Sequence, residues 1–369
     1  MISEKTNMGL NGTPQIPGDK SISHRSIIIP SISEGICEVT NILKSDDVMH
    51  TLKAFSLMGV KIEEKDQKII IYGKGLKSLK KPSTYIYLGN SGTSARLLTG
   101  LLASQNFETE IKGDDSLSSR PMNRMSEPLK KMDANITTTN GCLPIKIHGK
   151  ELKCTNIEVK IPSAQIKSGI ILAALNTIGV TKITENFITR DHTEIMLESF
   201  GAGIEIKKEG KKKIIAIEGG RELKSKNIEV PCDLSSSSFF IVAALINENS
   251  NIKLNNININ PTRDGILIAL EKMGADITIY NKRKKNNEMI CDIEVRSSIL
   301  KGCELNEDIA KLMIDEYPIL SIAAAFAKSP SIFRGLGELR VKESDRLSLI
   351  KNNLINCGVE CKVEKDDLY

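Results

Sequence analysis

One short pattern recurs five times along the chain, and it restricts the fold more than any other feature. Helix-like runs end in SLMGVKI at Gly59, KKMDANI at Asp133, ESFGAGI at Gly201, EKMGADI at Gly274 and INCGVEC at Gly358. Each is an apolar helical end, then a turn residue, then a strand start. The gaps average roughly 75 residues, the signature of a supersecondary module used repeatedly. Within a module, a Gly- or Ser-rich turn leads into an apolar helix, as in Ser21–Ser33 and Ser91–Ser104. A β-rich stretch follows (Cys37–Leu43 in the first), then a loop carrying Asp or Arg, a second helix and further strands. In the first module Val48, Leu52, Phe55 and Leu57–Met58 give that second helix its helical spacing. Lys68–Tyr72, Ile157–Ile161 and Lys213–Ile217 are rich in β-branched residues and read as strands. Asn281–Glu288 (NKRKKNNE) reads as a solvated hairpin tip. Mixed β–α units of this kind stack as sheets with helices packed against them, an α/β (α+β) class.

The third module ends near Val230, so a boundary is expected within Val230–Ser238. A chain of 369 residues is long for one core and favours two domains. Modules one to four close with strands, whereas the fifth stops at Asp366–Tyr369 in what reads as the middle of a strand region. Two domains of three modules would need a sixth of roughly 60 to 75 residues beyond it.

Charge narrows the function. The net charge is +5, with acidic and basic residues interleaved, no dense basic block and no Trp. Nucleic acid is therefore not the expected partner, whereas a site that collects small anions is. The eight cysteines form no CxxC pair, so neither a zinc site nor a redox motif is indicated, and scattered spacing favours reduced thiols. The N-terminal stretch has no apolar signal region and no run reaches the length of a membrane span.

Five constellations carry candidate chemistry. IPGDKSISHR (Ile16–Arg25) sets a Gly turn before a helix N-terminus with Lys20, Ser21 and Arg25 close by, which suits phosphate or carboxylate; a plain cap by Asp19 or Ser21 with solvent-facing cations is the bland alternative. LGNSGTSAR (Leu88–Arg96) is a second turn into a helix, where Gly92 lets a ligand approach the backbone; a capped helix would look the same. In DDSLSSRP (Asp114–Pro121), Arg120 precedes a proline expected to open a helix. In PSAQIKSG and ITRDHTE, Ser163 and Gln165 can hydrogen-bond a polyol and Arg190 can pair with phosphate, while His192 reads as structural. Finally, MIDEYP places Asp315 and Glu316 in an apolar run, where a carboxylate can serve as general base. LRVKESDR would put Lys342 and Arg346 on one helical face, with Glu343 pointing elsewhere as an acid; an ordinary salt-bridged helix start is the alternative. If the modules face each other these cations converge on two anionic molecules, with carboxylates for acid–base work.

From about Gly12 onward the chain resembles the 5-enolpyruvylshikimate-3-phosphate synthase family (3-phosphoshikimate 1-carboxyvinyltransferases). The resemblance rests on IPGDKSISHR, LGNSGTSAR, SRPM, PSAQIKSG, TRDHTE, MIDEYP and LRVKESDR in that order, and PSAQ, TRDHTE and LRVKESDR are most similar to the bacterial variants called class II. It implies the two-lobed enolpyruvyl transferase fold, each lobe three βαβαββ units about a pseudo-threefold axis. The lobes would be 20–231, and 1–19 with 232–369, with the sixth unit missing. The implied reaction joins phosphoenolpyruvate to the 5-hydroxyl of shikimate 3-phosphate and releases phosphate, in chorismate and aromatic amino acid biosynthesis. It implies no cofactor and no metal, and a monomeric cytoplasmic enzyme whose lobes close over the ligands.

Residue by residue, the resemblance implies that Lys20, Ser21, Arg25, Ser163, Ala164, Gln165, Arg190, Asp315 and Lys342 bind shikimate 3-phosphate. Lys20, Gly92, Arg120, Gln165 and Arg346 would bind phosphoenolpyruvate. Asp315 would take the hydroxyl proton, and Glu343 would protonate the methylene carbon with help from Lys20. Two of the family's phosphoenolpyruvate contacts, in its DHR motif and a late Lys, lie beyond Tyr369, so a catalytically impaired fragment is the alternative. The sister enzyme acting on UDP-N-acetylglucosamine fits less well: it has Lys-Asn where Lys20-Ser21 stands, and a loop Cys that Asp114–Ser119 lacks.

Overall fold

The computed structural model describes residues 8–210 and 212–369. The chain divides into two compact units, Gly18–Val230 and a second that joins the stretch before Gly18 to Pro231–Tyr369.

Among the described residues the repeated pattern folds as five four-stranded sheets. In the second module, Ile86–Tyr87 lies parallel to Glu108–Lys112, which runs antiparallel to Cys142–His148, itself antiparallel to Asn135–Thr139. With the helices Gly92–Ala103 and Asn123–Lys130 this is a βαβαββ unit, and the third repeats it with Asn156–Val159 as first strand. In the first module that place beside Glu34–Thr40 is taken by Ile228–Glu229, from the end of the third. In the fourth it is taken by Asn11–Gly12, which lies along Asn251–Asn258.

The shared signature has one physical cause. Gly59, Asp133, Gly201, Gly274 and Gly358 all have φ between 69° and 85°. In every copy the next residue donates its N–H to the carbonyl five positions back, as in Val60 to Phe55 at 3.1 Å and Val359 to Leu354 at 2.9 Å. This left-handed cap satisfies the last helical carbonyls and turns the chain into the next strand. Glycine is preferred there because it takes positive φ without a Cβ penalty, and Asp133 is among the few residue types that tolerate it.

Each unit has its own apolar core. In Gly18–Val230 the first helices of the three modules, Lys20–Ser31, Gly92–Ala103 and Ala164–Ala174, are buried along nearly their whole length. Their hydroxyl side chains survive burial by bonding within the helix: Ser26 donates to the Ile22 carbonyl, Ser31 to Ile27 and Thr99 to Ala95. The other unit differs. Its corresponding helices, Leu234–Ile246 and Tyr317–Ala325, carry or adjoin Phe239, Phe240, Ile322 and Phe326, which stay exposed.

Several boundaries correct the sequence reading. The strand expected at Cys37–Leu43 is Glu34–Thr40, because Asn41 turns left-handed at φ 53°. The strand expected at Ile157–Ile161 is Asn156–Val159. Pro121 opens no helix: it follows the short helix Asp115–Ser118, and the next helix starts at Asn123. The lysines of Asn281–Glu288 continue a long strand, Asp276–Lys285, and only Asn286–Asn287 forms the tip, both with positive φ. The fifth module does carry its closing hairpin, though each strand is two residues long, Val363–Glu364 and Asp367–Leu368.

Candidate functional site

Within Gly18–Val230 the predicted residues gather at the N-terminal ends of the three buried first helices. The first starts at Lys20, and Asp19, fully buried, caps it by accepting from the Ile22 N–H at 2.8 Å. The turn before it needs Gly18, whose Cβ would lie 2.0 Å from the Asn41 carbonyl oxygen. The exposed Lys20 pairs with Asp47. One turn on, Arg25 is 3% exposed, and its guanidinium reaches Thr193 Oγ1 at 2.6 Å, Ser168 Oγ at 2.8 Å and the Ser21 carbonyl at 2.8 Å. It therefore binds the first helix to the third module's two helices, Ala164–Ala174 and His192–Ser199.

The second helix starts at Gly92 with Ser91 as cap. A Cβ at Gly92 would stand 2.8 Å from Arg96 Nη1 and 3.2 Å from Arg120 Nη1. Two guanidinium groups thus flank a helix N-terminus whose backbone donors are already electropositive. Arg120 donates to Asn90 Oδ1 and, at 3.2 Å, to Ser116 Oγ. Arg96 donates to Gln165 Oε1 at 2.7 Å, and Gln165 Nε2 donates to Thr93 Oγ1 at 3.0 Å. Ser163 caps the third helix, accepting from the Ile166 N–H, and Ala164 is its first residue. Arg190 lies in the loop between the strand Val180–Glu185 and the helix from His192; His192 is fully buried. Gly92, Arg120 and Gln165 are thus in direct or one-residue contact, while Arg25 is tied to them through the helix of Gln165.

Sequence reading gave Arg96 no role, yet it joins Gly92 to Gln165. The available signal was spacing, since residues four apart share a helix face and Gly92 was already a candidate. Because a methyl at Gly92 would press on the far ends of two arginines, Gly92→Ala is expected to weaken the binding of a small anion there about tenfold with little loss of stability, checked by ligand titration and thermal unfolding.

His24 is another polar group inside the first helix. It is fully buried, its Nδ1 lies 2.8 Å from Thr51 Oγ1, and Thr51 in turn contacts Ser94 Oγ at 2.6 Å. Burial first, then the nearby Lys20 and Arg25, push its pKa down to about 3, against a smaller opposing effect of Asp19. The ring is therefore neutral in the folded chain and takes up a proton on unfolding below its ordinary pKa. Stability from this group is fully present above pH 6.5 and is lost as pH falls toward 3. His24→Asn keeps a hydrogen-bonding atom near Nδ1 and removes the titration. It is expected to flatten the acid limb of the urea-midpoint profile by up to about 1.4 kcal/mol per pH unit relative to wild type.

In the other unit, Asp315 sits in the turn before the helix Tyr317–Ala325, and Arg346 opens the helix Arg346–Asn356. Arg346 donates to Asp315 Oδ1 at 3.2 Å and pairs with Glu343. Burial works against its charge, but Glu343 and Asp315 outweigh that and hold the guanidinium above its ordinary pKa. Two expectations are corrected here. Lys342 and Arg346 do not share a helical face, because Asp345 caps the helix (accepting from the Ser348 N–H at 3.0 Å) and leaves Lys342 extended at φ −81°, ψ −152°. Nor does Glu343 point away, since it meets Arg346. The Asp315–Glu316 pair also splits: Glu316, 1% exposed, bonds to Ser235 and lies 3.9 Å from Arg263, while Asp315 keeps a third of its side chain exposed.

The repeated module and its cation-lined helix starts define an enolpyruvyl transferase. The chain belongs to the EPSP synthase (3-phosphoshikimate 1-carboxyvinyltransferase) family, whose model matches residues 5–369. A 3-phosphoshikimate 1-carboxyvinyltransferase of Ruthia magnifica is 46% identical over 365 residues, 99% of this chain and 83% of the relative. That of Legionella pneumophila strain Corby is 45% identical over 96% of this chain and 81% of its own length. The solved structure of EPSP synthase from Acinetobacter baumannii matches with a TM-score of 0.88 and 45% identity, covering 98% of this chain and 82% of that one.

Proposed function

We propose that this chain transfers the carboxyvinyl group of phosphoenolpyruvate to the 5-hydroxyl of shikimate 3-phosphate, releasing phosphate, on the route to chorismate and the aromatic amino acids. The observation that carries it is the cluster at Gly92, where Arg96 and Arg120 flank a helix N-terminus and Gln165 bonds to Arg96. Membership in the EPSP synthase family supplies the reaction.

In this reading Lys20, Ser21, Arg25, Ser163, Ala164, Gln165, Arg190, Asp315 and Lys342 hold shikimate 3-phosphate. Lys20, Gly92, Arg120, Gln165 and Arg346 hold phosphoenolpyruvate. Glu343, assisted by Lys20, protonates the methylene carbon, and the 5-hydroxyl attacks the adjacent carbon as its proton passes to Asp315. The tetrahedral intermediate then loses a proton from the new methyl group as its bond to phosphate breaks, so the double bond returns and phosphate leaves. The cations contribute by matching the charge of intermediate and leaving group better than that of the substrates. Arg346 is poised beside both acid–base groups, which keeps their carboxylates oriented.

We further read the chain as a cytoplasmic monomer. None of the eight cysteines is in a disulfide, which suits a reducing compartment, and among the described residues no helix is long and apolar enough to cross a membrane. The test of the reaction is phosphate release with both substrates present. Release that depends on both supports the proposal; release equal to an enzyme-free blank, despite binding of shikimate 3-phosphate, overturns it.

A further inference from the structure

Four charged side chains not used so far meet in the interior of the third module. Lys167 Nζ lies 2.8 Å from Glu194 Oε1 and 3.0 Å from Glu185 Oε1, and all three side chains are fully buried. Lys213 Nζ lies 3.1 Å from Glu194 Oε1 and 4.0 Å from Glu185 Oε1. The quartet draws on four elements: the helix Ala164–Ala174, the end of the strand Val180–Glu185, the helix His192–Ser199, and the strand Lys212–Glu218, where Lys213 is the cross-strand partner of Glu185. Two positive and two negative charges balance. Burial opposes the Lys167 ammonium and the Glu194 carboxylate alike, yet Glu194 and Glu185 hold Lys167 above its ordinary pKa, and Lys167 and Lys213 hold Glu194 below its own.

Burying four charges is a costly way to stabilise a core, and apolar side chains would serve at least as well. What the quartet supplies is geometry. The loop that carries Arg190 is held on both sides of that residue. Before it, the Thr189 carbonyl accepts from Lys167 at 3.5 Å and the Thr189 hydroxyl donates to Glu185 at 2.8 Å. After it, Asp191 Oδ2 lies 3.8 Å from Lys213. On the other side, Lys167 stands one helical turn from Ser163, whose carbonyl accepts the Lys167 N–H at 3.2 Å. We infer that Lys167 is a positioning residue, which through this quartet fixes Arg190 in register with Ser163–Gln165 and so sets the affinity for shikimate 3-phosphate. The inference rests on the substrate assignment proposed above.

The test compares wild type, Lys167→Met, the charge-balanced pair Lys167→Met with Glu194→Gln, Arg190→Met, and Lys167→Met with Arg190→Met. Shikimate 3-phosphate binding is read by calorimetry, and KM for each substrate and kcat by phosphate release. The balanced pair removes one charge of each sign, so it retains a folded chain if the single variant does not. The expected result for both Lys167 variants is a Kd and KM for shikimate 3-phosphate raised about tenfold or more, with kcat and the KM for phosphoenolpyruvate within about threefold. Adding Lys167→Met to Arg190→Met is expected to weaken binding little further. Unchanged affinity in the balanced pair overturns the inference. So does a loss that multiplies with that of Arg190→Met, or a uniform drop in kcat and both affinities, which would mark a purely structural role. A wild-type chain that binds shikimate 3-phosphate but releases no phosphate strikes the proposed reaction and leaves this inference standing; one that binds none overturns both.

Discussion

Replacing Asp315 by Asn is expected to lower kcat by about two to four orders of magnitude while the binding of both substrates stays within a few-fold of wild type. The asymmetry follows from when a general base acts. In the proposed reaction its carboxylate takes the hydroxyl proton as the new carbon–oxygen bond forms, so removing it would raise the barrier more than it weakens the ground-state complex. Asparagine keeps an oxygen for the Arg346 contact, now 3.2 Å to Oδ1, so the cation should not be displaced. Rapid-quench kinetics and shikimate 3-phosphate titration together decide it. A loss of affinity as large as the loss of kcat would leave Asp315 with a binding role alone, and full activity would remove it from the chemistry.

Much of the fold was legible because one local rule repeats. Gly59, Gly201, Gly274 and Gly358 each announce the end of a helix, and the structure gives every one the same left-handed cap. Strand partners were less accessible. Nothing local in Ile228–Glu229 says that it completes the first module's sheet, some 190 residues earlier, because pairing depends on backbone geometry rather than on side-chain identity. The candidate site divides in the same way. The helix starts at Lys20 and Gly92 could be placed by capping chemistry and stand where that chemistry puts them, whereas Ser163, read only as a hydrogen-bonding hydroxyl, proves to be a cap. Lys342 could not, since spacing alone fits one helical turn, and the cap at Asp345 decided where the turn begins. Lys167 and His24 were hidden for another reason: each looks like an ordinary polar residue in an apolar helix, and only burial shows that it must have partners.

The second large effect is expected at Gly100, which no motif marked. In the structure a Cβ there would lie 1.9 Å from the carbonyl oxygen of Gly169, and a Cβ on Gly169 would lie 2.8 Å from the carbonyl oxygen of Arg96. The paired glycines let the helices Gly92–Ala103 and Ala164–Ala174 touch backbone to backbone. That approach is what brings Arg96 within 2.7 Å of Gln165. On intrinsic propensity alone, Gly to Ala inside a helix gains up to about 1 kcal/mol. Here the obstacle is backbone, which cannot swing aside as a side chain can, so the helices must separate. Gly100→Ala is therefore expected to destabilise the chain by about 1–3 kcal/mol, read from urea midpoints, and to raise the KM for phosphoenolpyruvate as the Arg96–Gln165 bond stretches. Gly201→Ala is the control. Its φ is 85° and nothing lies within 4 Å of the added methyl, so it should cost about 1–2 kcal/mol through backbone conformation and leave KM unchanged. If Gly100→Ala is instead as stable as wild type with an unaltered KM, the helix contact does not set the site's dimensions, and the arginine cluster must be held by its own hydrogen bonds to Asn90, Ser116 and Gln165.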